Sequence, residues 1–316
     1  MFDSTPTRRK TLKAIGGTAT VAVVPASVQA SNEGWTVVET PTASTLHDVS
    51  ATATVHHAVG EGGIVLERGN EGWRKVLDGG PTGNGSDLYG SATTDDGKRL
   101  WFVGASGAIG EYDVETGNLE DRSAPNDNTN NYNDVAAKGS AGDANVYVAG
   151  DSGKIYYSFE NGETGTWNDV TPGSGATIRA IDFHDVRTGH AVDMNGRVFE
   201  TTDGETWEPV GLQDANVDFY GVDSDARDDV WVSGGGGMVF HYDGSQWTSS
   251  DTGDATLQDV EVDGDGGFTL GGGGKLYEYD GERWTAVDTP TGANLKAVLR
   301  ADPDVAVGAD GTVLEH

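Results

Sequence analysis

The chain has 316 residues, with 51 acidic against 20 basic side chains, a formal net charge of −31 and no cysteine. The missing thiol excludes disulfide frameworks, zinc–thiolate sites, iron–sulfur clusters and thiol catalysis. The charge argues against phosphate-rich partners, whether nucleic acid or an anionic lipid surface. The length admits one large all-β or α/β domain, or two ordinary ones.

Residues 1–30 read as an export signal. A basic stretch, Thr7-Arg8-Arg9-Lys10-Thr11-Leu12-Lys13, precedes a small-residue apolar run from Ala14 to Ala26. Val28-Gln29-Ala30 then offers an A-x-A-like cleavage site. The apolar run is too short, and too rich in Gly, Ala and Thr, to span a bilayer. The paired arginines resemble the twin-arginine signal, with Thr11 where that pattern prefers Phe. The resemblance implies export of a folded protein by the twin-arginine machinery, to a secreted or cell-surface location.

Residues 31–316 then carry fifty acidic against sixteen basic side chains, spread along the whole segment. That resembles the composition of proteins from salt-loving archaea, in which high salt screens self-repulsion and carboxylates hold a hydration shell. Low hydrophobicity with high charge is also a mark of disorder. The eight Trp and ten Tyr argue otherwise, because they recur at fixed places in a repeat.

The repeat is about forty residues long and has four short apolar pieces. The first copy runs through Leu46-His47-Asp48-Val49, Ala58-Val59-Gly60, Gly63-Ile64-Val65-Leu66 and Trp73. The second has Leu88-Tyr89-Gly90, Phe102-Val103-Gly104 and Gly107-Ala108-Ile109, with Leu119 in place of Trp. Later copies end at Trp167, Trp207, Trp247 and Trp284. The seventh stops at Gly311-Thr312-Val313-Leu314 without a Trp piece. The anchoring positions Gly60, Gly104, Gly150, Asp193, Gly234, Gly271 and Gly308 lie 44, 46, 43, 41, 37 and 37 residues apart. Each piece is short, rich in Val, Ile, Tyr and Phe, and bounded by Gly, Asp or Asn, as strands are.

A spare Trp piece, Gly34-Trp35-Thr36-Val37-Val38, precedes the first complete copy. A ring explains both the spare piece and the missing one. The expected fold is all-β: a single seven-bladed β-propeller over residues 31–316, with the N-terminal Trp strand closing the last blade and no open sheet edge left over. The Trp side chains are expected to fill the outer wedges between blades.

The turn before the Trp reads Thr201-Thr202-Asp203-Gly204-Glu205-Thr206-Trp207 in copy four, with Asp243-Gly244 and Asp280-Gly281 in copies five and six. It resembles the Asp-box of neuraminidase-type (BNR) repeats and the repeats of the photosystem II stability/assembly factor family, within the wider WD40/YVTN-like class. The Asp-Gly turns here are one residue shorter than that family's. In such relatives the Asp-box is a structural turn, so no catalysis is assigned to Asp203, Asp243 or Asp280.

Propellers bind through the mouth of their central channel. Aligning the copies puts one residue per blade there: His47, Tyr89, Asn133, Arg179, Tyr220, Gln258 and Lys296. None is a carboxylate, a local exception in so acidic a chain that points to a peptide, glycan or anionic ligand. A sialidase would need an arginine triad, and the ten Arg after residue 30 are scattered, with only Arg179 at an inner-strand start. His56-His57 reads as a solvated pair, and Asp263-Gly264-Asp265 as an acidic hairpin turn rather than a calcium loop. No cofactor motif is present. The expectation is a binding scaffold for a protein or glycan, assembly-factor-like and without catalysis of its own; the alternative is a glycan-active hydrolase or lyase on the same fold.

Overall fold

A computed structural model describes residues 34–212 and 215–316, and the export signal read over residues 1–30 lies outside them. The described residues form seven four-stranded antiparallel sheets. The inner strands are Leu46–Ala51, Leu88–Thr93, Tyr132–Ser140, Ile178–Asp185, Phe219–Ala226, Leu257–Asp263 and Leu295–Leu299, defining blades 1 to 7. Each inner strand packs against that of the next blade, and the seventh packs against the first. The ring is therefore closed, a β-propeller with the expected number of blades.

Blade 7 takes its outer strand from the other end of the chain. Thr36–Val38 pairs with Val313–Glu315 in the register Thr36↔Glu315, Val37↔Leu314, Val38↔Val313. A bidentate ion pair fastens the same strand to blade 1: Arg68 Nε and Nη2 lie 2.7 and 2.9 Å from the Glu315 carboxylate, and Trp73 Nε1 donates to it at 3.1 Å.

The hydrophobic core is divided among the junctions between blades. Apolar side chains on both faces of each sheet leave no alternation of buried and exposed positions: the inner strand Leu88–Thr93 is buried at five of six residues. Seven apolar clusters result, one per junction, and the blade 7–blade 1 junction holds twelve buried residues from Leu46 to Val313. Each outer-strand Trp enters the junction with the preceding blade: Trp73 with blade 7, Trp167 with blade 2, Trp207 with blade 3, Trp247 with blade 4 and Trp284 with blade 5. Trp35 obeys the same rule, packing with Phe268 and Leu270 of blade 6. Leu119 takes the equivalent place in blade 2, against blade 1.

The Asp-Gly turns are structural. Asp203 Oδ1 accepts from the backbone N–H groups of Glu205 at 2.8 Å and Thr206 at 2.7 Å. Asp243 and Asp280 accept from the corresponding N–H groups of their own turns. Gly204, Gly244 and Gly281 follow at φ of 76°, 84° and 91°, a region that favours glycine. The hydroxyls of Thr206 and Ser245, which donate to the same carboxylates, and then these backbone bonds hold the Asp203 and Asp243 carboxyls down to about 2.

The expectation for His56-His57 is corrected. His57 is fully buried, with Nε2 3.5 Å from Glu67, and burial lowers the pKa of His56. The pair lies in the second strand of blade 1, His56–Gly60, where the neighbouring junctions enclose it rather than solvent. Asp263-Gly264-Asp265 lies at the hairpin between Leu257–Asp263 and Gly266–Gly271. Among the described residues no group of three or more His, Asp or Glu side chains is placed to hold a metal ion.

Candidate functional site at the channel mouth

One local irregularity, repeated seven times, builds the site. The first residue of each inner strand pairs with an anchoring position of the second strand: Leu46↔Gly60, Leu88↔Gly104, Tyr132↔Gly150, Ile178↔Asp193, Phe219↔Gly234, Leu257↔Gly271 and Leu295↔Gly308. The third residue then pairs with the position just before that anchor, so the second residue has no partner and forms a β-bulge. A bulge re-aims its side chain out of the ladder. The seven bulged residues are His47, Tyr89, Asn133, Arg179, Tyr220, Gln258 and Lys296, and all seven line one cavity of ≈ 290 Å³. Each is half-buried between two buried neighbours, as in the strand Leu46–Ala51.

The anchoring glycines permit the close approach that this needs. A Cβ on Gly271 would lie 2.0 Å from the Thr256 carbonyl oxygen, and one on Gly104 would lie 1.9 Å from that of Asp87. Blade 4 replaces the glycine with Asp193, whose carboxylate closes its own turn by accepting from Asn195 and Arg197 N–H at 2.9 and 3.0 Å.

Below the ring lie carboxylates that the repeat contains but that channel alignment alone does not single out. Asp48 accepts from Ser91 N–H at 2.6 Å, Asp134 from Ile181 N–H at 3.0 Å and Asp259 from Val298 N–H at 2.9 Å. Asp182 and Asp223, two positions further along their strands, accept from Ser224 and Val262 N–H at 2.9 and 2.7 Å. Each bond crosses to the next blade and satisfies an N–H on an inner-strand edge that no other strand covers. The x-Asp-Val pattern in copies one, three and six was the available signal. Gly90 and Ala297 occupy the equivalent place in blades 2 and 7.

The electrostatics of the mouth follow from burial and from two cations. Burial, then Lys296, lowers the His47 pKa to about 4, leaving a neutral imidazole at pH 7. Its ring meets Tyr89 edge to face, with centroids 5.3 Å apart. Burial, then Arg179, lowers the pKa of Lys296, while burial raises that of Tyr89. Arg179 belongs to blade 4, yet its charge is felt at His47, Tyr89 and Lys296 of blades 1, 2 and 7, so it acts across the channel. Asn133 Nδ2 donates to the Ile178 carbonyl at 3.0 Å and to Asp151 at 3.3 Å, which fixes its amide. The arrangement offers charged and amide donors, two phenol rings and a neutral imidazole to one ligand. Its aspartates are already engaged with backbone N–H groups.

No family model matches the chain. No curated protein matches it either. Solved structures do. YCF48 from Cyanidioschyzon merolae is similar with a TM-score of 0.71 at 21% identity, covering 89% of this chain and 98% of that one. YCF48 bound to a D1 peptide gives 0.71 at 17% identity, over 90% and 96%. Virginiamycin B lyase from Staphylococcus aureus gives 0.74 at 10% identity, over 89% and 97%. At these identities the likeness establishes the propeller fold, in agreement with the repeat.

Proposed function

We propose that the protein is an exported binding scaffold that receives a partner protein at the channel mouth and performs no chemistry of its own. The observation that carries this reading is the convergence of seven bulged side chains, one per blade, on a single cavity. None of the seven belongs to an apolar junction, and all of them line the cavity instead. The commitment of Asp48, Asp134 and Asp259 to neighbouring backbones leaves the lining without a free acid–base pair. A similar propeller, YCF48, has been solved with a peptide bound. The sequence features of residues 1–30 support a secreted or cell-surface location for this scaffold, and the acidity of the rest suits a salty medium.

A pull-down in high salt beside a glycan array tests the reading. Retention of a protein that is lost on substituting Tyr89, Arg179 or Tyr220 supports it. Turnover of a polysaccharide, lost on the same substitutions, would replace it with a glycan-active enzyme; the similarity to a lyase fold gives that second reading its place.

A further inference from the structure

We propose that the mouth holds a single carboxylate, presented by a peptide segment and seated between Arg179 and Lys296, with basic residues of the same segment facing the outer rim. This deepens the scaffold reading and rests on it.

The first observation is the state of the cations. Eleven of the sixteen described Lys and Arg side chains lie in ion pairs with carboxylates. Of the others, Arg300 is held by the Asp263 and Gly266 carbonyls, while Arg197 and Lys275 are exposed. Arg179 and Lys296 are half-buried in the cavity and, among the described residues, have neither an ion pair nor a hydrogen bond. They stand on blades 4 and 7, as far apart as a ring of seven allows, yet each is within electrostatic reach of the other. Two like charges held in a partly desolvated cavity repel, and an anion between them relieves that cost.

The second observation limits the charge of the anion. Asp48, Asp134 and Asp259 line the same cavity. Two cations above three carboxylates favour one negative charge at the level of the ring and oppose a dianion such as phosphate. A carboxylate also matches the planar fork of Arg179.

The third observation concerns what lies behind it. The rim consists of the residue before each inner strand and the first two residues of each turn after the second strand. Those positions carry Glu61, Asp87, Asp151, Asp218 and Asp310, and no Lys or Arg. A polyuronate chain would meet repulsion there, whereas basic residues flanking one carboxylate would be attracted. Tyr89 and Tyr220 flank the seat with apolar surface. The carboxylate is a chain end or an Asp/Glu side chain.

The test is fluorescence anisotropy with the purified full chain and four labelled probes. These are a short Lys-rich peptide with a free C-terminal carboxylate, its amide, the amide with one internal Glu, and trigalacturonate. One or both carboxylate peptides should bind about tenfold or more tighter than the neutral amide, and which of them does so identifies the source. Arg179→Gln and Lys296→Gln should each erase that preference, with folding checked by circular dichroism, while Arg283→Gln, on an exposed side chain, should preserve it. Equal binding of acid and amide peptides overturns the carboxylate proposal and leaves the scaffold reading standing. Tighter binding of trigalacturonate assigns the seat to a sugar acid and overturns the peptide. Binding of no probe also overturns the proposal, and the scaffold reading is then judged by the pull-down alone.

Discussion

Ring closure can be tested at Glu315. Its carboxylate takes two bonds from Arg68 and one from Trp73, both on blade 1, while the strand that carries it pairs with Thr36–Val38. The Arg68 side chain is 33% exposed and that of Glu315 is 15% exposed, so the pair lies between a surface and a buried ion pair. Removing one partner of a buried pair costs about 3–5 kcal/mol, and a surface pair is worth about 1 kcal/mol or less. Glu315→Ala is therefore expected to cost about 2–3 kcal/mol, or about 4–8 °C in Tm for a domain of this size. A double-mutant cycle with Arg68→Met should give a coupling of about 1 kcal/mol or more. The exposed pair Lys75–Asp78 is the control, with coupling near zero. The pH dependence has a defined sign. Arg68 holds the Glu315 carboxyl below its ordinary value of 4.5, so its contribution is complete above that pH and fades as pH falls through the depressed value. The Tm difference between the natural chain and Glu315→Gln should shrink accordingly in acid. No Tm change, or no coupling between the two positions, would refute the closure energetics.

Other consequences are open to the same kind of test. Asp259→Ala removes the buried bond from Val298 N–H and should cost about 2 kcal/mol, read by chemical denaturation; a neutral result would remove the carboxylates from the account of how blades are joined. Gly271→Ala forces a Cβ to within 2.0 Å of a carbonyl and should cost about 3 kcal/mol or more, whereas Gly273→Ala, at φ +67 with open space around it, should cost about 1 kcal/mol. Equal melting temperatures for the two glycine variants would contradict the close-approach argument. An NMR titration of His47 should give a midpoint of about 4, and Lys296→Met should raise it while leaving it below 6.5, because burial is the larger cause. A midpoint near 6.5 in the natural chain would show a solvated imidazole and a more open mouth.

Much of the architecture is written in the repeat. The spare Trp35 piece and the incomplete seventh copy fix both blade number and closure, because a four-stranded blade needs an outer strand and only one was unassigned. The seven mouth residues follow from alignment, since each precedes the same buried position. The reason they face the channel was not legible. Inner strands buried on both faces show no alternation, so a bulge at the second residue leaves no trace in the pattern of apolar and polar residues. The clamp on Glu315 was equally hidden, because it joins side chains 247 residues apart. His57 illustrates the opposite failing: a histidine in a short polar-looking stretch reads as solvated, yet it is enclosed by Glu67, its register partner on the adjacent strand, and by Tyr112 of blade 2, which the ring brings beside it.

On the proposed function, ligands enter at the seven bulged residues. The chain has no cysteine, so a single Cys can carry a photo-crosslinker at a chosen place. Gln258→Cys puts it in the mouth. Val186→Cys puts it at the far end of a blade 4 hairpin, where Val186 is 46% exposed. Irradiation with the partner retained in the high-salt pull-down should yield an adduct at position 258 and none at 186; adducts at 186 alone would move the binding surface to the opposite face and contradict the account.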